Sequence, residues 1–266
     1  MAGRLVVCPT PIGNLDDITL RTLSALREAD VIACEDTRRT RVLLDRFGVS
    51  APLVSYHEHN EEARARELVG RMQAGEVVAL VSDAGMPLVS DPGFVLVREV
   101  VAAGLGLEVL PGPSAVLAAL VASGLPSAQW RFLGFLPRRA SELASVLAAP
   151  ETLVAFESPR RLGKSLAAIA PDRDVAVCRE LTKVHEEVVR GTAGELAARY
   201  AAEAPRGEIV VVVGPLNDGD EGVSDEAVAA FRDLVAAGAR RRVAASVVAR
   251  LTGASANSLY ESRDSR

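Results

Sequence analysis

Of the three histidines in the 266 residues, two stand close together as His57-x-His59, within Tyr56-His57-Glu58-His59-Asn60-Glu61. Imidazole exchanges a proton near neutral pH, so His57 and His59 are candidate general bases. At a strand end, period-two geometry would put both rings on one side. The same pair could begin a metal site, for which no third ligand is identifiable, or could be hydrogen-bonded structural groups. A second polar cluster, Glu35-Asp36-Thr37-Arg38, sits where an apolar run passes into a helical pattern. Its carboxylates suit the positive end of that helix, and a cap is one reading of them.

Four loops at the ends of strand-like runs carry glycine and proline at unusual density: Pro9 to Asn14, Val81 to Gly93, Pro111 to Ser114, and Val213-Gly214-Pro215. Val81 to Gly93 is the richest, with two Gly, two Pro and two Ser-Asp steps, and fits neither helix nor strand. Glycine allows close approach and prolines stiffen a concavity, while strand ends of an open α/β sheet are where ligands bind. Neither GxGxxG nor GxxxxGK[ST] occurs, which removes the dinucleotide fingerprint and the P-loop as explanations.

The elements that must hold these loops alternate between strand-like and helical runs, the pattern of α/β layers on a largely parallel sheet. Strands are expected at Leu5 to Cys8, Val31 to Cys34, Leu53 to Tyr56, Val77 to Val81 and Leu107 to Leu110. Helices are expected over Thr19 to Ala29, Thr37 to Phe47, Glu61 to Ala74, Phe94 to Ala103 and Ser114 to Ser123. A second strand series follows near Thr152 to Phe156, Asp174 to Cys178, Glu187 to Arg190 and Glu208 to Val213. The expected organisation is an N-terminal α/β domain (1–112), a C-terminal α/β domain (113–216), and a linker with a helical tail (217–266).

With 49% hydrophobic and 24% charged residues the chain can bury a sizeable core. No apolar run reaches spanning length and the N-terminus lacks a signal-peptide core, so a cytoplasmic protein without a membrane partner is expected. Cys8, Cys34 and Cys178 lie far apart among apolar neighbours and read as core residues. A net charge of −5 supplies no global attraction for a polyanion. Any nucleic-acid contact would need local patches, for which Arg38-Arg39-Arg41, Arg138-Arg139, Arg160-Arg161-Lys164 and Arg240-Arg241-Arg242 are candidates.

Taken in order, these motifs resemble the tetrapyrrole methylase superfamily, and within it the branch that 2′-O-methylates a cytidine in the decoding region of 16S ribosomal RNA. The likeness covers nearly the whole chain. It rests on Thr10-Pro11-Ile12-Gly13-Asn14-Leu15, Glu35-Asp36-Thr37-Arg38, the His57 and Val81 to Gly93 segments, Leu110-Pro111-Gly112-Pro113-Ser114-Ala115, Gly134-Phe135-Leu136-Pro137, Phe156-Glu157-Ser158-Pro159 and Cys178-Arg179-Glu180-Leu181-Thr182-Lys183. The resemblance implies two α/β domains with S-adenosylmethionine in the cleft between them, no metal, and a homodimer. It implies donor contacts from Pro11, Ser82, Asp83, Ala84, Gly85, Pro87, Ser114 and Ala115 on one side. Phe156, Glu157, Leu181, Gly214 and Pro215 would close the other. It also turns Glu35-Asp36-Thr37-Arg38 toward the substrate, giving Glu35, His57 and His59 as catalytic candidates. Asp36, Arg38, Asn60, Arg138, Arg160 and Arg161 become candidates for binding RNA or the small ribosomal subunit.

Two departures bear on these roles. The family commonly has Glu-Ser-Pro-His-Arg where this chain has Glu157-Ser158-Pro159-Arg160-Arg161, and arginine cannot act as a base. Ala140-Ser141-Glu142 interrupts the basic run that usually follows Phe135-Leu136-Pro137. Two alternatives stand beside the RNA reading: methylation of a tetrapyrrole or another small molecule on the same fold, and a non-catalytic ribosome-associated binding protein.

Overall fold

The computed structural model describes residues 3–216, 225–252, 254 and 256–261. Its first strands, β1 (Arg4–Val7), β2 (Val31–Cys34), β3 (Leu53–Ser55), β4 (Val77–Leu80) and β5 (Gly106–Val109), form a fully parallel sheet in the order β3-β2-β4-β1-β5. Helices α1 (Leu20–Glu28), α2 (Thr37–Arg46), α3 (Glu61–Gln73) and α4 (Phe94–Ala102) connect them. The strands read as unbroken apolar runs because both faces are covered. Val6, Cys8, Ile32, Cys34 and Ala79 pack in one core with Leu23, Leu26, Leu43 and Leu44. Their neighbours Leu5, Val7, Val31, Ala33, Val78 and Leu80 pack in another, with Leu68, Met72, Leu96 and Val100.

The second sheet departs from the expected parallel arrangement. Its strands β6 (Trp130–Phe135), β7 (Thr152–Glu157), β8 (Asp174–Arg179), β9 (Glu187–Thr192) and β10 (Ile209–Val213) take the order β6-β7-β10-β8-β9. Only β6 and β7 pair in parallel, while β10 runs antiparallel to both β7 and β8, and β9 antiparallel to β8. The physical reason is connection length. The loop from Arg179 to Glu187 is too short for a parallel crossover, which takes a dozen or more residues, and so β8 and β9 form a hairpin.

Helix α5 (Ala115–Ser123) buries Val116, Ala119 and Leu120 against one face of this sheet, on Val154, Ala176, Val210 and Val212. Helices α6 (Ala140–Leu147), α7 (Leu162–Leu166) and α8 (Ala193–Ala202) contribute Leu143, Leu147, Leu162, Leu166 and Leu196 to the core on the other face. Both sheets lie in one compact unit, Met1–Pro215. Loops join them closely. A Cβ on Gly13 would lie 2.5 Å from Lys183 Cγ and 3.0 Å from the Leu181 carbonyl oxygen, so only glycine fits there.

The second unit, Leu216–Arg266, contains α9 (Asp225–Ala236), α10 (Arg241–Thr252) and α11 (Ala256–Glu261). Ala227, Phe231, Ala244, Ala245, Val248 and Leu259 form its core. Arg241, one of the tail's candidate RNA contacts, lies over the rings of Phe231 and Tyr260 and donates to the Tyr260 carbonyl. The expected linker, Asn217 to Gly222, falls outside the described residues. Among the described residues no helix is long and apolar enough to cross a membrane.

One buried cation ties the second sheet together. The Arg173 guanidinium is 2% exposed and donates to the carbonyls of Gly214 (2.6 Å), Leu147 (2.5 Å), Ala149 (3.0 Å) and Glu151 (3.2 Å). Arg173→Met should leave these acceptors without their donor and lower unfolding free energy by about 3 kcal/mol or more, measurable by urea denaturation.

Candidate active site at the meeting of two sheets

The carboxyl ends of β1, β4 and β5 face those of β7 and β8 across a cleft of about 360 Å³. Ala84, Gly85, Met86, Val89, Ser90 and Asp91 from the loop after β4, with Ile12, line its first side; Ser114, Ala115 and Val116 begin α5 beside them. Phe135, Phe156, Glu157, Cys178, Leu181 and the run Gly207 to Val210 line the second. The walls are largely apolar, and Asp91, Glu157 and Glu208 are the acidic residues among those that line them.

The loop after β4 is held by its own bonds. Thr10 and Gly85 exchange backbone hydrogen bonds of 2.9 and 3.0 Å, Thr10 Oγ1 donates to the Ser82 carbonyl, and Ser82 Oγ donates to the Gly85 carbonyl. Leu88 and Ser90 carry positive φ (73° and 67°), as do Glu180 and Thr182 on the opposite loop (50° and 66°). Non-glycine residues in this region are held there by their surroundings, and they collect at binding sites.

Several expected donor contacts lie elsewhere. Pro11, Ser82 and Asp83 surround a separate hollow of about 70 Å³ with Arg39 and Thr40, and Pro87 is buried behind the cleft-lining Met86. Asp83 is engaged, accepting from the Asp36 backbone N–H (3.1 Å) and pairing with Arg39 (3.2 Å). Gly214 and Pro215 stand at the opposite end of the sheet from this cleft. Because β10 is antiparallel, its start at Ile209 lies beside Glu157 and Arg179, whereas Val213 lies beside Leu153 and Val175. The Gly214 carbonyl is already taken by Arg173. Gly207 and Glu208 occupy the cleft instead, and reading β10 as antiparallel would have indicated them. Ala84, Gly85, Ser114, Ala115, Phe156, Glu157 and Leu181 all line it as expected.

Glu157 contributes backbone rather than charge. Its fully buried carboxylate accepts from the Ser158 N–H at 2.6 Å and from the Ser165 hydroxyl, and Arg161 lies 3.4 Å away. Arg161 in turn donates to the Leu136 and Pro137 carbonyls, so it braces the loop after β6 instead of facing solvent. Arg138 and Arg160 are exposed.

Asp91 is the carboxylate that sequence reasoning missed. Burial, then the nearby Glu35 and Asp83 charges, push its carboxyl up from 3.8 to about 6, against a hydrogen bond with Ser82. Burial also raises Glu35, reinforced by Asp83 and Glu58 and opposed by Arg39 and His57. Glu35, His57, Asp83 and Asp91 therefore share one electrostatic neighbourhood.

His57 and His59 sit in a turn beyond β3, rings 5.9 Å apart and edge to face. Asn60 organises that turn, accepting from the His57 N–H (2.9 Å), donating to the Ser55 carbonyl (3.2 Å), and lying 3.3 Å from His57 Nε2. His57 Nδ1 is buried without a hydrogen-bond partner among the described residues. Asp36 caps α2 by accepting from the Arg38 N–H (2.8 Å), while the Arg38 side chain is 92% exposed.

Two α/β layers meeting at a strand-end cleft define a small-molecule-binding scaffold. The chain superposes on uroporphyrin-III C-methyltransferase of Thermus thermophilus complexed with S-adenosylhomocysteine, with a TM-score of 0.57 at 22% identity, covering 80% of this chain and 97% of that one. Diphthine synthase gives a TM-score of 0.62 at 18% identity, over 80% and 90%. The chain belongs to the family of tetrapyrrole (corrin/porphyrin) methylases, which its residues 4–197 match. It is 49% identical to ribosomal RNA small subunit methyltransferase I of Mesorhizobium japonicum, over 96% of this chain and 90% of that protein. It is 43% identical to the protein of that name from Pseudomonas aeruginosa, over 98% and 96%.

A carboxyl whose proton affinity rises on folding destabilises the fold above its folded value and has no effect below its unfolded one. Asp91→Asn should therefore stabilise the protein at pH 8. The gain should fade as pH falls from about 6 to about 4 and vanish below that. Thermal unfolding across this range checks both sign and window.

Proposed function

We propose that this chain is an S-adenosylmethionine-dependent methyltransferase that methylates the ribose 2′-oxygen of a cytidine in the decoding region of 16S ribosomal RNA. The observation that carries the reading is the near full-length identity of up to 49% to proteins named for small-subunit ribosomal RNA. Structural likeness to tetrapyrrole enzymes stands at 20–22% identity and speaks to the fold alone.

The cleft suits the donor chemically. Its volume lies in the range of about 300–1,000 Å³ usual for small-molecule sites. First-turn amides of α5, at Ala115 and Val116, would receive a carboxylate. Asp91 would hold an ammonium or hydroxyl, and Phe156, Leu181 and Val210 offer apolar cover for a purine. When bound, the donor supplies an electrophilic methyl group on a sulfonium.

The protein's main task is then placement, since good orientation accounts for about 7–11 kcal/mol of a barrier and a positioned base for a factor of about 10² to 10⁴. Glu35, its proton affinity raised by burial, is the candidate acceptor of the 2′-hydroxyl proton, with His57 beside it and His59 further out. Exposed Arg38, Arg138 and Arg160 would meet RNA phosphates. Asp36, Asn60 and Arg161 act through these residues, as cap, turn lock and brace.

A cytoplasmic homodimer fits this reading. Helix α5 is apolar all round, a composition expected of a helix covered on every side, yet Leu117 and Val121 are 52% and 81% exposed. Val121→Glu should shift sedimentation toward the monomer if this face is the contact.

The decisive assay is radiolabelled methyl transfer to small subunits and to stripped RNA, with the modified nucleoside identified. Recovery of 2′-O-methylcytidine is expected, and a methylated tetrapyrrole or no product would contradict the proposal. Glu35→Gln should lower kcat by about 10²-fold or more with donor binding unchanged. Arg38→Ala should raise the KM for RNA without affecting donor affinity; equal losses in both would remove Arg38 from the RNA side.

A further inference from the structure

We infer that Phe135 is the stacking platform on which the acceptor nucleobase rests at the mouth of the cleft, an assignment that builds on the RNA reading above. On a regular strand Phe135 would share a face with Leu133, which packs into the core away from the cleft. Pairing of β6 with β7 instead shifts register between Phe132 and Phe135, where three steps along β6 match two along β7, from Val154 to Phe156. Gly134 absorbs the extra residue with φ of 66°. Such bulges re-aim a side chain, and this one turns Phe135 over to the cleft side.

The result is a short aromatic ladder. Phe132 packs edge to face on Phe156 at 5.2 Å, and Phe156 meets Phe135 at 5.5 Å. Phe132 and Phe156 are half-buried, but Phe135 is 64% exposed. An apolar ring built outward by a bulge, then left open to water, calls for a flat partner. The segment after it is rigid, since Arg161 holds the Leu136 and Pro137 carbonyls and is itself backed by Glu157. Arg138 and Arg160 flank it as exposed cations with no ion pair among the described residues. A fixed aromatic face beside free arginines is the arrangement that binds single-stranded nucleic acid, because every base has a π-face and every nucleotide a phosphate. A cytidine whose ribose enters the cleft must leave its own stack, and Phe135 would replace the lost neighbour.

The test uses the full-length protein and small subunits, comparing wild type with Phe135→Ala, Phe135→Leu and Phe135→Trp. Methyl transfer is followed with product identification, and S-adenosylhomocysteine affinity is measured by calorimetry. Phe135→Ala should lower kcat/KM for subunits by about 5- to 100-fold. Phe135→Leu should stay impaired, Phe135→Trp should recover, and S-adenosylhomocysteine affinity should remain within about twofold throughout, since stacking of the acceptor base is separate from donor binding. Wild-type activity unchanged in Phe135→Ala, full activity in Phe135→Leu, or a parallel loss of S-adenosylhomocysteine binding would each overturn the inference while leaving the enzyme's function intact. A wild type that yields no 2′-O-methylcytidine would overturn the acceptor reading, and this inference with it.

Discussion

Everything at this site depends on how closely the loop after β1 approaches the loop after β8. With Gly13 set against Leu181, Thr182 and Lys183, and the Asn14 N–H donating to Thr182 Oγ1 at 3.0 Å, the two sheets are joined by a close approach of one loop's backbone to the other loop's backbone and side chains. That junction fixes the cleft's width. On one side Thr10 then pins Gly85, which shapes the loop after β4. On the other, Lys183 binds both Glu180 and Glu208 at 2.9 Å, which holds the start of β10 at the cleft edge.

Charge is arranged around this frame with clear divisions of labour. Two carboxylates expected from the sequence to contact the donor, Asp83 and Glu157, are saturated by backbone amides, Ser165 and arginines, and serve as struts. Those that remain available, Glu35 and Asp91, are the ones whose proton affinity burial raises. An unsaturated carboxylate in a partly dry cleft costs stability, and the neighbouring struts keep it in place.

Much of the first sheet was legible in the sequence because parallel strands covered on both faces read as continuous apolar runs, and every helix there ended near its expected residue. The second sheet was less so. Trp130 to Phe135 did not read as a strand, since its bulge at Gly134 breaks the alternation that would have marked it. Helix α7 has only five residues, too few to show a period, and α8 is an alanine-rich stretch with weak contrast between faces. Strand direction was the costliest gap: β10 is visible as Ile209 to Val213, but nothing in that run tells which end meets the ligand. Gly214 and Pro215, expected at the cleft from sequence, follow the far end of β10, and Gly207 and Glu208 line the cleft. Asp91 is not marked in the sequence for a similar reason, because what distinguishes it from Asp83 is that residues distant in sequence, the Asp36 N–H and Arg39, engage Asp83.

The central claim is that the cleft between the two sheet ends, bounded by the start of α5 and the start of β10, holds the methyl donor. Calorimetric titration of S-adenosylhomocysteine into wild type and Ala115→Glu, which sets a carboxylate against the first-turn amides lining the cleft, tests it most directly. One-to-one binding to the wild type and none to the variant, with both proteins unfolding at similar temperatures, is the expected result. Undiminished binding to the variant would contradict the account and move the donor to another part of the molecule.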